Sequence, residues 1–283
     1  MFNVYKEESA AMKRFLSAFL VFLVLPIMAS AELKVHFIDV GQGDSILVQC
    51  DGTCMLVDAG PLEAGAVVNS YLRDNVGLSK LNCVVATHEH DDHLFGMPDA
   101  LSGLTVDTVY SSSVIPMTYW FETILPRLKQ EGLNLIRPQA LDTFSLGSAT
   151  VIFLNTLTAA DNSNELSLVL RIDYEKTSVL LTADIEGEAE MNLVNSGLPL
   201  KADVLKIGHH GGNTSTCEAF LKAVDPQYAV ISVGKGNKHG HPHPEPLSNL
   251  EKKNVTVYRT DLFGTIVGTS DGEKWTFEVS KAR

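Results

Sequence analysis

Eight of the nine histidines fall into three short groups: His88, His90 and His93; His209 and His210; His239, His241 and His243. The first group lies in Thr87-His88-Glu89-His90-Asp91-Asp92-His93, directly after the apolar stretch LNCVVA. At a strand end, a tight turn points His88 and His90 inward while the next turn presents Asp92 and His93 from the other side. One regular helix would spread the same side chains around its circumference. Imidazoles and a carboxylate at this spacing suit two adjacent divalent cations better than they suit histidines satisfied inside a core.

Further ligand candidates follow apolar segments. Asp184 comes after SVLLTA and is expected at a strand end, where its carboxylate can bridge two cations; His209 follows ADVLKIG in the same manner. Ligands delivered from the ends of buried strands are held rigidly. Adjacent residues cannot easily coordinate one centre, so His210 is expected to contact substrate or phosphate, with a ligand role in place of His209 as the alternative. The chemistry is hydrolysis by water activated between two cations about 3.5–4 Å apart. Asp92 and Asp184 then hold cations instead of acting as an isolated acid and base, and with His210 and His243 they form the candidate catalytic set. Zn²⁺ suits the imidazoles, and Mn²⁺ suits the added oxygen ligands.

Outside this set, Gly211 and Gly212 permit close approach, and Asn213, Thr214 and Ser215 can donate hydrogen bonds to phosphate oxygens. A second polar loop runs from Lys235 to His243; Lys235, His241 and His243 are its candidate substrate contacts, against the alternative of a solvated connection stiffened by Pro242 and Pro244. Gln42, Asp44 and Asp58 are expected beneath the metal loops, orienting them through hydrogen bonds. The glycines around Gln42 lack the spacing and the lysine of a nucleotide-binding P-loop.

The elements that must position these residues read as strands at 33–39, 45–50, 54–57, 82–86, 106–110, 151–154, 166–172, 178–183, 203–207, 228–233, 255–258, 264–269 and 275–279. Helices are expected at 64–76, 121–131, 187–196, 215–224 and 245–253. Strand-rich tracts with returning helices, roughly 32–150 and 151–283, predict an α/β fold: an αββα sandwich of two mixed sheets with outer helices.

THEHDDH matches the HxHxDH signature, and the chain resembles the metallo-beta-lactamase fold superfamily. More specifically, FIDVGQGDS at 37–45, LVDAG at 56–60, LSLVLRI at 166–172, LLTADI at 180–185, ADVLKIGHHG at 202–211 and GHPHPE at 240–245 resemble the exported hydrolase domain of the bacterial competence DNA-uptake channel family. The resemblance spans nearly all of 32–283 and lacks the channel portion, which implies a free-standing secreted homolog. It also implies that His88 and His90 hold one metal, that Asp92, His93 and His209 hold the other, and that Asp184 bridges them. Many superfamily members add a histidine before the bridging aspartate, but 150–183 contains none. Asn164, beside Ser163, stands near that place as a candidate substrate contact. The first site is therefore expected to be weaker, completed by water, or filled only with substrate.

Lys13 and Arg14 precede an apolar run from Phe15 to Met28, and Ala29-Ser30-Ala31 has the small-x-small pattern of a signal-peptidase site. Residues 1–31 thus read as a signal peptide and 32–283 as the hydrolase domain, secreted or periplasmic. A retained anchor is the alternative, although the run is shorter than the roughly 20 residues that span a bilayer. Cys50 and Cys54 flank Asp51-Gly52-Thr53, which leaves open a disulfide or two buried thiols. With 34 acidic against 22 basic residues, a net charge of −12 excludes a protein that coats DNA through a broad basic surface. The first functional reading is an exported phosphodiesterase or DNase acting on DNA or a small phosphodiester. The others are a metallohydrolase of choline-phosphate, amide or other ester substrates, and a noncatalytic DNA-binding or scaffold protein.

Overall fold

The computed structural model describes residues 32–112, 134–154 and 160–281. The expected leader and the helix expected at 121–131 lie outside the described residues. Strands β1 (Leu33–Phe37), β2 (Ile46–Cys50), β3 (Thr53–Val57), β4 (Lys80–Ala86), β5 (Thr105–Ser111) and β6 (Asn134–Ile136) begin the first sheet. The second sheet comprises β7 (Thr143–Leu146), β8 (Ala149–Phe153), β9 (Leu170–Tyr174), β10 (Thr177–Leu181), β11 (Val204–Lys206), β12 (Tyr228–Ile231) and β13 (Thr256–Arg259). The last two strands, β14 (Ile266–Ser270) and β15 (Trp275–Val279), return to the first sheet, giving the order β15-β14-β1-β2-β3-β4-β5-β6. The second sheet runs β13-β12-β11-β10-β9-β8-β7.

Both sheets are mixed. The pairs β3–β4, β4–β5 and β5–β6 are parallel in one, as are β10–β11, β11–β12 and β12–β13 in the other. Strand alternation divides the apolar side chains between layers. Ile46 and Val48 join Phe37, Met55, Ile172 and Val179 between the sheets. Leu47 points outward with Leu56 and Val84 against Val68, Leu72 and Met97. On the far side, Leu180, Leu205 and Ile231 pack against Leu193, Phe220 and Leu250. These three apolar layers make the expected αββα sandwich.

Two boundaries differ from expectation for reasons carried by buried carboxylates. The strand expected at 166–172 begins only at Leu170, because Ser163–Leu166 forms a 3₁₀ turn and Glu165 is drawn in to accept the N–H groups of Glu186, Glu188 and Ala189 at 2.9–3.1 Å. That carboxylate satisfies donors left free at the start of helix Gly187–Ser196. The helix expected from 215 starts at Glu218, since Thr216 and Cys217 donate their N–H groups to Glu190.

The hairpin between β2 and β3 decides the cysteine question. Its register pairs Cys50 with Thr53 and Gln49 with Cys54 around the turn Asp51-Gly52, whose residues take φ 48° and 76°. Cys50 therefore faces the space between the sheets and Cys54 the outer layer. The disulfide is ruled out by opposite facing, and both thiols are free.

His36 on β1 is buried with its Nδ1 2.8 Å from the Tyr71 hydroxyl. Burial, opposed by a hydrogen bond with Gln49 and aided by Lys34, lowers its pKa from 6.5 to about 4. A group depressed in the folded state contributes stability that is full above its unfolded pKa and is lost as pH falls toward the folded one. Wild-type protein should lose about 3 kcal/mol more stability than His36→Gln between pH 7 and pH 4, measured by urea unfolding. Parallel curves for the two proteins would contradict this origin.

Candidate metal centre

The parallel strands of both sheets end on one edge of the sandwich, and their last residues build the site. Asp58 follows β3 and Thr87 follows β4. Thr87 donates its N–H and hydroxyl to the Asp58 carboxylate at 2.9 and 2.6 Å. This contact fixes the start of the histidine loop, and His93 returns to the same carboxylate with its Nδ1 at 2.7 Å. The preceding turn closes over the loop. A Cβ on Gly43 would stand 2.1 Å from the Asp92 carbonyl oxygen, and φ 137° there also requires glycine.

Three imidazoles are locked in one sense. The Thr87 hydroxyl, committed to Asp58, accepts from His88 Nδ1 at 3.1 Å. His93 Nδ1 donates to Asp58, and His210 Nδ1 donates to the Ser232 carbonyl at 2.9 Å. Each Nε2 is thereby turned inward, and the Nε2 atoms of His88, His93 and His210 are buried without a hydrogen-bond partner, as is Asp184 Oδ1.

Asp184 stands between them. Its Oδ1 is 3.3 Å from His93 Nε2, its Oδ2 is 3.3 Å from His210 Nε2, and Asp92 Oδ2 is 3.2 Å from the same His210 nitrogen. Ligand atoms converge in two adjoining sets, His88–His93–Asp184 and Asp92–His93–His210. A third set, Asp44–Asp58–His93, uses the side of His93 already bonded to Asp58. Inward nitrogens beside two carboxylates, each imidazole held from behind through its Nδ1, fit divalent cations.

The structure brings His210, in place of the expected His209, into the cluster of candidate ligands. Residues 209 and 210 both take left-handed backbone conformations, φ 45° and 54°, which rotate the second imidazole inward and the first outward. His209 is 28% exposed and rests its Nδ1 2.7 Å from Glu186 Oε1. His90 lies on the cleft wall with Nε2 2.9 Å from the Ser163 hydroxyl. Asn164 is buried, its Nδ2 donating to Glu186 at 3.1 Å and its Oδ1 unpartnered. Glu186, which joins Asn162, Asn164 and His209, was not expected from sequence. Its position one residue past the Asp184-Ile185 pair was the available signal.

The outer loops also sort differently. A cleft of about 770 Å³ opens over the cluster, walled by Gln42, Glu63, Asp91, Lys238, His239 and His241. Thr214 is exposed beside His209, while Ser215 is buried and donates its hydroxyl to the Gly208 and Gly212 carbonyls, which spends it inside the turn. His243 accepts the Asn213 N–H at 3.0 Å and precedes helix Pro244–Lys252. Lys238 rather than Lys235 lines the cleft, and Lys235 is exposed.

Electrostatics follow from this crowding. Burial works against a charged His210, but Asp184, Asp92 and Asp44 push its pKa up to about 10. Burial likewise opposes charge on His93, and Asp184 and Asp58 overcome it, raising that pKa well above the ordinary value. His88 is driven well down by burial and by His93, against the opposing pull of Asp184. Burial alone would raise Asp184, yet His210 and His93 hold it well below the usual carboxylate range. The carboxylates thus favour protonation of His93 and His210, and a metal bound there would compete with those protons.

Comparison with known proteins agrees with this architecture. The profile of the family described as Metallo-beta-lactamase superfamily matches residues 38–235. The chain is 31% identical over 273 residues to "ComE operon protein 3" of Bacillus subtilis, covering 88% of this chain and 34% of that protein. It is 32% identical over 244 residues to "Recombination protein 2" of Haemophilus influenzae, covering 82% and 28%. It therefore spans about a third of the length of these relatives. Among solved structures, the fold is similar to the metallo-beta-lactamase fold protein YhfI from Bacillus subtilis, with TM-score 0.57 and 17% identity, over 84% of this chain and 100% of that one.

His210→Ala should abolish tight divalent-metal binding in calorimetry, and His209→Ala should leave it within about threefold of wild type. At pH 7, binding to wild type should release about two protons per chain, read from heats in buffers of different ionisation enthalpy. Loss of binding on replacing His209 alone, or binding without proton release, would contradict the assignment.

Proposed function

Since this chain belongs to the metallo-beta-lactamase superfamily, we propose that it is a metal-dependent hydrolase of phosphodiesters, with DNA or a short nucleic-acid fragment as the substrate class. The observation that carries this reading is the Asp184 carboxylate, which contacts His93 with one oxygen and His210 with the other at the floor of an open cleft. Two divalent cations held by these residues would supply Lewis acidity toward a water and toward the phosphoryl oxygens.

The chain's own residues do the remaining work. Asp92, His93 and His210 would form one holding set and His88, His93 and Asp184 the other, with His90 beside them on the cleft wall. Asp58 and the Ser232 carbonyl keep the inward nitrogens of His93 and His210 free of backbone competition. Lys238, His239 and His241 face the same cleft and offer cationic or hydrogen-bonding contacts to a phosphate. Burial and the neighbouring imidazoles lower the His241 pKa to about 4, so at neutral pH it binds as a neutral ring.

The size of the cleft and the overall charge favour a single phosphodiester over a long duplex tracked along the surface. The names of the relatives, including "Competence protein ComA" of Neisseria gonorrhoeae at 30% identity, support nucleic acid among phosphodiesters. Glu63 and Asp91 on the cleft wall favour, as a second reading, a phosphodiester with a cationic head such as choline-phosphate. A leader cleaved after Ala31 would place either activity outside the cytoplasm. Among the described residues, no helix is long and apolar enough to cross a membrane.

With Zn²⁺ or Mn²⁺ restored, wild-type protein should cleave single-stranded or duplex DNA and a simple aryl phosphodiester. Folded Asp184→Ala should lose about 10³-fold or more in kcat/KM on both. Cleavage of the simple and choline-containing esters without DNA would move the assignment to the second reading. Turnover of amides alone would overturn it.

A further inference from the structure

Beneath the ligands lies a charged pair that the hydrolytic reading does not use. Lys206 ends β11, where alternation places Val204 between the sheets, Leu205 outward, and Lys206 between the sheets again. A lysine at an interior position of a core strand is costly unless each ammonium N–H finds an acceptor. Lys206 is fully buried, and its Nζ lies 2.8 Å from Asp44 Oδ2, 2.8 Å from the Ile207 carbonyl and 3.5 Å from the Ala183 carbonyl. Three donors meet three acceptors.

Those acceptors belong to the segments that carry the ligands. Ala183 directly precedes Asp184, and its left-handed φ of 46° is unusual for a residue with a Cβ. Its carbonyl also accepts the His209 N–H at 3.2 Å. Ile207 leads into the turn that presents His210. Asp44 belongs to the other sheet's loops: its N–H donates to the Asp92 carbonyl at 3.2 Å, and its carbonyl accepts from Gly60 at 2.8 Å. Asp44 Oδ1 stands 3.5 Å from His210 Nδ1.

We propose that the Lys206–Asp44 pair is a positioning device, a charged strut across the two sheets that sets the distance between the Asp184 and His210 turns on one sheet and the Asp92 loop on the other. It rests on the metal-centre reading above. An apolar side chain would fill the same space but would not fix the carbonyls of Ala183 and Ile207. The pair therefore acts on metal affinity through geometry. Its charge has the opposite tendency, because removing a fixed cation beside a cation site would tighten metal binding by Coulomb attraction alone.

The test compares wild type, Lys206→Met and the double variant Asp44→Asn/Lys206→Met, using Mn²⁺ titration calorimetry and urea unfolding of the metal-free proteins. Lys206→Met should unfold at lower urea, because it leaves the buried Asp44 carboxylate without its ammonium partner, and should bind Mn²⁺ about 10–100-fold more weakly. The double variant, with neither charge, should regain most of the lost stability while its Kd stays weakened by a similar factor. If Lys206→Met does not fold, the double variant decides. A Kd at the wild-type value or tighter in the double variant overturns the strut and leaves the metal centre standing. Wild-type protein that binds no Mn²⁺ or Zn²⁺ overturns both.

Discussion

Four carboxylates, Asp44, Asp58, Asp92 and Asp184, meet at one edge of the sandwich, and three of them are almost wholly buried. Anions in so small a volume repel one another and lose hydration, so the fold is tenable only if positive charge is built in or brought in. The Lys206 ammonium pairs with Asp44 at 2.8 Å. Asp58 is engaged by Thr87 and His93. Asp92 and Asp184 are left facing the Nε2 atoms of His93 and His210, whose pKa values the carboxylates push up against burial. The need to compensate Asp184 and Asp92 explains why imidazoles converge there and why each Nδ1 is tied from behind.

The scaffold answers the same constraint. Parallel strands end together on one edge, so that Asp58, Thr87, Asp184 and the 208–211 turn arrive from β3, β4, β10 and β11 on rigid supports. Buried Glu165 and Glu190 secure the segments around this edge by accepting backbone N–H groups instead of joining the cluster. The outer loops, by contrast, present exposed side chains to the cleft, which leaves room for substrate preference to vary without disturbing the floor.

Much of this was legible in the sequence because it depends on spacing. The HxHxDH loop, the apolar strands before it, and Asp184 after SVLLTA follow from alternation and strand ends, and the structure places them together. The identity of the imidazole in the 209–210 pair was not legible, since it turns on two successive left-handed residues that neither histidine announces. Ser215 and His243, expected as phosphate contacts, engage backbone groups of the surrounding turns, and in sequence a hydroxyl or ring in a polar loop looks the same whether it faces a cleft or closes a turn. Cys50 and Cys54 were separated by a two-residue turn that places them on opposite faces. Lys206 carried a visible signal, one cation inside the apolar run of β11, whose partner Asp44 only the tertiary structure supplies.

Anomalous diffraction from crystals soaked in Mn²⁺ or Zn²⁺ tests the central claim most directly. Compensation of the buried carboxylates predicts two peaks flanking Asp184, one bound by Asp92, His93 and His210 and the other adjoining His88, with His209 unbound. Metal held by His209 with His210 outside the cluster, or peaks remote from Asp184, would contradict it.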